Sequence, residues 1–391
     1  MKKLTEVFKL AAPLSAAQFA QSAMMFCDTV LLSLLGVPQL AGGGLGAGIY
    51  HLFVIIVTGL FAAVCTEVAI LAGQRKLVSI SRIVKAGLVL SFLLALLVAL
   101  LIMVTPDLLA LAGQKAVTIT YADQYLSAAV WISFPAFAFL VLRGLAAGMG
   151  YTTSIMRISM LALGVNIPVS YFLMTGWDNF LGLGLEVLAL EGMGVAGVAL
   201  GTMFGSTVML VLLAMDLWRY DKTRRILKAL KSVRLRLIDF KPFWTLGMPI
   251  ALAWVMETGL FTTATLLAGT LSVAALAAHQ IALQSSSLAF NVYIGFAQGA
   301  AIRSGQCFGQ KNMANVRRYT VVGLILGGLF CLVAALIFVV LPDPIVALFS
   351  LGAAIDLDTQ VRDLGIQLLL VAALFQIVDG GQVIIMTALR A

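Results

Sequence analysis

Four carboxylates fall where a carboxylate is hardest to keep. Asp28, Glu67, Glu257 and Asp379 each lie inside an apolar stretch long enough to cross a bilayer. An acid at such a depth costs roughly 2.5–3.5 kcal/mol on insertion scales, so each one needs a reason. One reason is structural, a carboxyl held neutral by a hydrogen bond. The other is chemical, a group that binds and releases a proton or Na⁺. Glu257 and Asp379 share one half of the chain, and two neighbouring carboxylates can share a proton or a cation, which favours the chemical reading. Na⁺ held by Glu257 and Asp379 is the metal site this pair allows.

The residues around Asp28 fit that chemistry. Gln21 and Asp28 are two helical turns apart and so share a face, with Met24, Met25 and Phe26 between them. Pro13, earlier in the same span, removes one hydrogen bond and marks a bend. The layout recurs around Pro249 and Glu257, with Glu257 standing where Gln21 stands. Met and aromatic side chains such as Met24, Met25, Met256 and Phe375 are ordinary packing residues in most helices. Facing a polar cleft, they suit flat organic cations through cation–π and thioether contacts.

The elements that position these groups are membrane helices. Of 391 residues, 62% are apolar and only 11% charged, too apolar for a water-soluble domain to bury. Apolar stretches of helix-spanning length recur along the chain, and the short alternating segments of a β-barrel are absent. Ten spans are expected, near 9–35, 45–72, 84–105, 124–148, 155–177, 193–216, 243–268, 276–303, 319–341 and 363–388. The first follows Lys2 and Lys3 but is too long for a signal peptide and contains Asp28, so it reads as a retained helix.

A net charge of +8 raises the question of a nucleic-acid partner, and the placement of the charge argues against one. Apart from Lys115 and Arg362, the Lys and Arg residues fall at the N-terminus, in alternate loops, at adjoining helix ends or at Arg390. This is the positive-inside bias, and it places the N-terminus in the cytoplasm. Arg143 and Arg390, near helix ends, read as snorkelling to the interface. The four cysteines have no metal-ligand spacing and read as packing residues.

An internal repeat organises the chain. At a single offset, 249 − 13 = 236, Pro13 matches Pro249, Leu40-Ala41 matches Leu276-Ala277, Gly59 matches Gly295, Gly73-Gln74 matches Gly309-Gln310 and Pro106-Asp107 matches Pro342-Asp343. An even number of spans precedes the basic linker, so both copies enter the membrane in the same direction and the substrate path is expected between them. The expected fold is an all-α polytopic membrane protein of two parallel-repeat bundles. Residues 1–217 form a six-helix lobe, 218–242 a basic cytoplasmic linker and 243–391 a second lobe. The second lobe has four helices here, and 6 + 6 is expected of the intact protein. Glu67 and Arg303 occupy equivalent positions, 303 − 67 = 236, which suggests an ion pair between lobes near the cytoplasmic end. Two unconnected snorkelling side chains would give the same pattern.

The runs PLSAAQFAQSAMMFCDTV, GMPIALAWVMETGLF, FGQKN and FQIVDGGQVIIMTALR resemble the multidrug and toxic compound extrusion (MATE) transporters, in particular the NorM-like branch. The resemblance implies twelve helices in two lobes, a cleft, and antiport of organic cations against H⁺ or Na⁺ across a bacterial inner membrane, by a monomer without an organic cofactor. By matching motif, Asp28 looks like the first lobe's acid, accompanied by Asn166 and Thr202, and Glu257 with Asp379 looks like the second lobe's cation pair. Some sodium-coupled members carry Tyr one turn before that Asp, where this chain has Phe375, which weakens the sodium assignment. A related lipid-linked oligosaccharide flippase should show a more basic cleft. A membrane enzyme would need a nucleophile or metal constellation that this sequence lacks.

Overall fold

The computed structural model describes residues 2–176, 192–348 and 359–389, and these are helical with short turns. Arg390 and the last residue of the fifth expected span lie outside them. The helices are α1 (Lys2–Leu35), α2 (Val37–Gly73), α3 (Leu77–Leu111), α4 (Ala116–Met149), α5 (Thr152–Thr175) and α6 (Gly194–Arg219). A short α7 (Asp221–Ala229) follows, then α8 (Met248–Leu271), α9 (Val273–Gly309), α10 (Met313–Val340), a short α11 (Pro342–Leu348) and α12 (Thr359–Leu389). The ten long helices match the ten expected spans and mostly overrun them, because a helix does not stop where the hydrocarbon does.

Among the described residues, nine helices are long and apolar enough to cross a membrane. The remaining long helix, α9, carries His279, Gln280, Gln284, three successive serines from Ser285 and Asn291. Such a helix needs polar company on one side. A π turn at Phe243–Gly247 leads into α8. Pro249, two residues beyond it, has no N–H to give the Thr245 carbonyl four residues back, which favours the wider winding there.

The chain forms two compact units, Met1–Phe19 with Ala253–Ala391, and Ala20–Leu252. Their boundaries fall inside α1 and α8. In the first, the start of α1 is fastened to α9 and α10. Ser15 Oγ donates to the Val292 carbonyl at 2.8 Å, Lys3 Nζ to Asn315 Oδ1 at 2.6 Å, and the Tyr319 hydroxyl to Glu6 Oε2 at 2.5 Å. In the second, the start of α8 lies equally close to α2. A Cβ on Gly59 would come within 2.4 Å of Ala251 Cα, and one on Gly295 within 2.0 Å of Ser15 Oγ. These two close approaches are the same contact made twice, since 295 − 59 and 251 − 15 both equal 236. The offset read from the sequence therefore relates real packing.

The offset does not extend to α12. Gly144 packs on Val64 and Cys65, so a constant offset would set Gly380 against Ala300. The structure sets it against Cys331 and Tyr293 instead. The slip along α9, 300 − 293 = 7 residues, is two helical turns and leaves the same face of α12 pointing inward.

Gly59→Val and Gly295→Val should each destabilise the protein by about 1–3 kcal/mol through overpacking. Gly48→Val, where a Cβ meets nothing within 4 Å, should be neutral. Melting temperatures of the three variants in detergent check this; equal melting of all three would remove the close approaches from the account.

Candidate functional site

In the unit Ala20–Leu252, the site is built by a glycine stripe on α6. A Cβ on Gly197 would strike the Leu173 carbonyl, one on Gly201 would strike Ser170, and one on Gly205 would press on Met24 and Asn166. Spaced four apart, these glycines lie along one face and let α5 come close, the device membrane helices use where lipid offers no hydrophobic drive. Thr202 rides beside this stripe and meets α1.

The Thr202 hydroxyl donates to Asp28 Oδ2 at 2.6 Å. Asn166 Nδ2 lies 3.3 Å from Ser170 Oγ and 3.5 Å from Thr202 Oγ1, donating to both. Asp28 is 6% exposed and Asn166 fully buried. The two remaining side-chain acceptors, Asp28 Oδ1 and Asn166 Oδ1, are buried without a protein partner among the described residues. Tyr125, buried, stands within electrostatic reach of Asp28, with buried Tyr50 beside it in turn. A buried carboxylate with one oxygen satisfied and the other open is an acceptor in want of a positive partner: a proton, a metal cation or an organic cation.

Gln21 does not open onto this group. Its Oε1 accepts from Arg143 Nη1 at 3.2 Å. The reading of Arg143 as a snorkelling side chain is corrected here, because it turns inward from α4 beside Cys65 and tethers the second half of α1. Met24 is buried under Gly205, whereas Met25 is exposed.

The other unit holds the second acid centre. Asp379 on α12 is buried at 9% exposure and accepts a hydrogen bond from the hydroxyl of Tyr293 on α9, itself fully buried. Gly380, with no side chain, lets α12 close on Cys331 and Tyr293 at this level. Gln376, one turn before Asp379, is buried with Nε2 unpartnered among the described residues. Glu257 on α8 is half-buried and within electrostatic reach of Asp379 and Tyr293. Phe375 packs edge-on against Phe261 at 5.8 Å between ring centres, and Met256 is exposed. Glu67 is half-buried on α2, and Arg303, on α9 in the other unit, donates to Gln306 at 3.2 Å.

Sequence reasoning missed Tyr293. It supplies from a neighbouring helix the hydroxyl that Phe375 lacks, and its repeat equivalent is Val57, so the internal comparison gave no hint. The available signal was a tyrosine in α9, the long helix whose run of His, Gln, Ser and Asn keeps it from counting as a plain apolar span.

Two helical units, each with a buried acid held by a hydroxyl from another helix, are the build of a membrane transporter. The MatE family model matches residues 13–172 and 249–391, and the chain belongs to this family. A curated relative from Pseudomonas syringae pv. tomato, named "Probable multidrug resistance protein NorM", is 32% identical over 393 residues, covering 100% of this chain and 82% of its own. A Vibrio cholerae MATE transporter, VcmN, superposes with a TM-score of 0.86 at 17% identity, over 100% of this chain and 83% of that one. A MOP superfamily transporter from Pyrococcus furiosus superposes at 0.76 with 19% identity, over 99% and 85%, and is described as having a binding pocket of reversed polarity that suggests a different function. At these identities the two structures speak to the fold.

Thr202→Val should cost about 1–3 kcal/mol of stability by leaving the Asp28 carboxylate short of a donor, and Asp28→Asn in that background should recover part of it. Thermal melting of the two single variants and the double variant checks this, and simple additivity would show that the pair is not coupled.

Proposed function

We propose that this protein is a secondary active antiporter that exports organic cations in exchange for H⁺ or Na⁺. The observation that carries the reading is Asp28: buried, held at one oxygen by Thr202 and open at the other. A cation entering this site is paid for by the charge it neutralises, and a proton or metal ion competes for the same oxygen. Cargo and coupling ion then exclude one another, and each favours the arrangement of helices that binds it better. One elementary charge crossing 100 mV supplies about 2.3 kcal/mol, so no ATP site is required. The relatives' shared name, multidrug resistance protein, supports efflux of diverse compounds.

In this reading Asp379, Glu257 and Tyr293 form the second exchange centre. The Tyr293 hydroxyl could serve either ion. It can donate to an ionised Asp379, and after reorienting its oxygen can join the two carboxylates around Na⁺. Met25, Met256 and Phe375 would offer contacts to flat apolar cations. The protein acts as a monomer in a bacterial inner membrane with its N-terminus in the cytoplasm, as the placement of its basic residues indicates. The alternative, flipping of an anionic lipid-linked sugar, is disfavoured because the carboxylates in the two described centres are acceptors for positive charge, opposite to what an anionic cargo requires.

Ethidium efflux from proteoliposomes under an imposed pH or Na⁺ gradient tests the proposal. Wild type should export under at least one gradient, and Asp28→Asn and Asp379→Asn should each reduce efflux at least tenfold while remaining folded. Gradient-independent movement, or full activity in both variants, would overturn it. Tyr293→Phe should weaken whichever coupling ion is used, read as a rise in the concentration needed for half-maximal rate. The interlobe pairing of Glu67 with Arg303 is part of the proposal: Glu67→Arg and Arg303→Glu should each impair efflux and together restore it, and absence of rescue removes the pair.

A further inference from the structure

The segment joining α6 to α8 carries more structure than a topological signal requires. Residues 222–241 contain eight Lys and Arg, all exposed. In α7, Thr223 and Ile226 are buried while Lys222, Arg225 and Lys228 point outward, so the helix has one docked face and one basic face. The docking is specific. Ser81 Oγ donates to the Ile226 carbonyl at 3.1 Å, and Lys85 Nζ to the Val233 carbonyl at 2.7 Å. The Thr223 hydroxyl donates to the Leu217 carbonyl, fixing the turn out of α6.

Beyond α7, a 3₁₀ turn over Leu237–Phe240 is closed by Asp239 Oδ2, which accepts from the Arg236 N–H at 2.8 Å. That turn presents Leu237 and Ile238 bare, at 92% and 67% exposure, between Arg236 and Lys241. Exposed Trp218 and Trp244 flank the segment on either side. The platform lies between two helices long and apolar enough to span a membrane, one ending at Arg219 and the next starting at Leu237, a position that sets it at the bilayer surface. Tryptophans belong at headgroup depth, and an apolar pair ringed by cations belongs just beneath it.

We propose that this docked basic platform is a binding surface for anionic phospholipid headgroups, with Leu237 and Ile238 inserting into the acyl boundary. A loop serving only to orient the chain needs charge but neither a fixed fold nor bare apolar residues at its tip. Phosphate groups supply the complementary charge, and each basic residue near an anionic surface is worth about fivefold in affinity.

Native mass spectrometry of the full chain in neutral detergent, with phosphatidylglycerol and phosphatidylcholine competing, tests the proposal. Wild type should retain phosphatidylglycerol preferentially. The triple variant Lys222→Gln, Arg225→Gln, Lys228→Gln should lose that preference by tenfold or more. A charge-matched control, Arg75→Gln, Lys76→Gln, Arg317→Gln, should keep it, and equal loss in both would reduce the effect to net charge and overturn the site. Leu237→Ser with Ile238→Ser leaves the charge unchanged and should also weaken retention; no change would overturn the insertion. Displacement of the lipid by millimolar inorganic phosphate, or a stronger preference for an RNA oligonucleotide, would show a general anion surface rather than a lipid site.

Discussion

Everything in this structure that bears on function depends on keeping a carboxylate away from water without fully satisfying it. Lipid gives a carboxylate no hydrogen bonds, so the protein has to supply donors, and it supplies few: the Thr202 hydroxyl to Asp28 and the Tyr293 hydroxyl to Asp379. A fully satisfied acid would be inert. One with no donors would stay protonated or would not be tolerated. Asp28 lies between these extremes, with one donor at Oδ2 and Oδ1 open among the described residues.

The packing follows from that requirement. Donor and acceptor sit on different helices, so those helices must approach closely at the level of the acid. Glycine makes this possible in both units, through the Gly197, Gly201 and Gly205 stripe that brings α5 against α6, and through Gly380, which brings α12 against α9 and α10. The same economy of small residues holds the starts of α1 and α8 in place, at Gly295 and Gly59. Those contacts repeat at one offset, but the two acid centres are built from different helices, α1, α5 and α6 around Asp28 and α9, α10 and α12 around Asp379.

Much of this was legible in the sequence, and the failures have physical causes. Helix number and repeat came from apolar length and from proline and glycine positions, which are local signals. The acids stood out because charge inside lipid is expensive. Their partners did not, since hydroxyls cost little in a helix and leave no trace in composition: Thr202 and Asn166 were found by resemblance, and Tyr293 was not found. Its pairing with Asp379 depends on the slip of α12, and the repeat offset gives no sign of that slip. Arg143 was misread because a cation near a helix end usually faces water, whereas here Gln21 on α1 offers an inward acceptor. The linker's charge was plain, but its docking through Ser81 and Lys85 depends on tertiary contacts.

The direct test of this account is equilibrium binding of a labelled lipophilic cation, tetraphenylphosphonium, to the purified protein. Binding should weaken progressively with added H⁺ or Na⁺ in wild type and should lose that competition when Asp28 is changed to Asn. Binding equally tight at every proton and sodium concentration, or competition that survives the loss of the Asp28 charge, would contradict it.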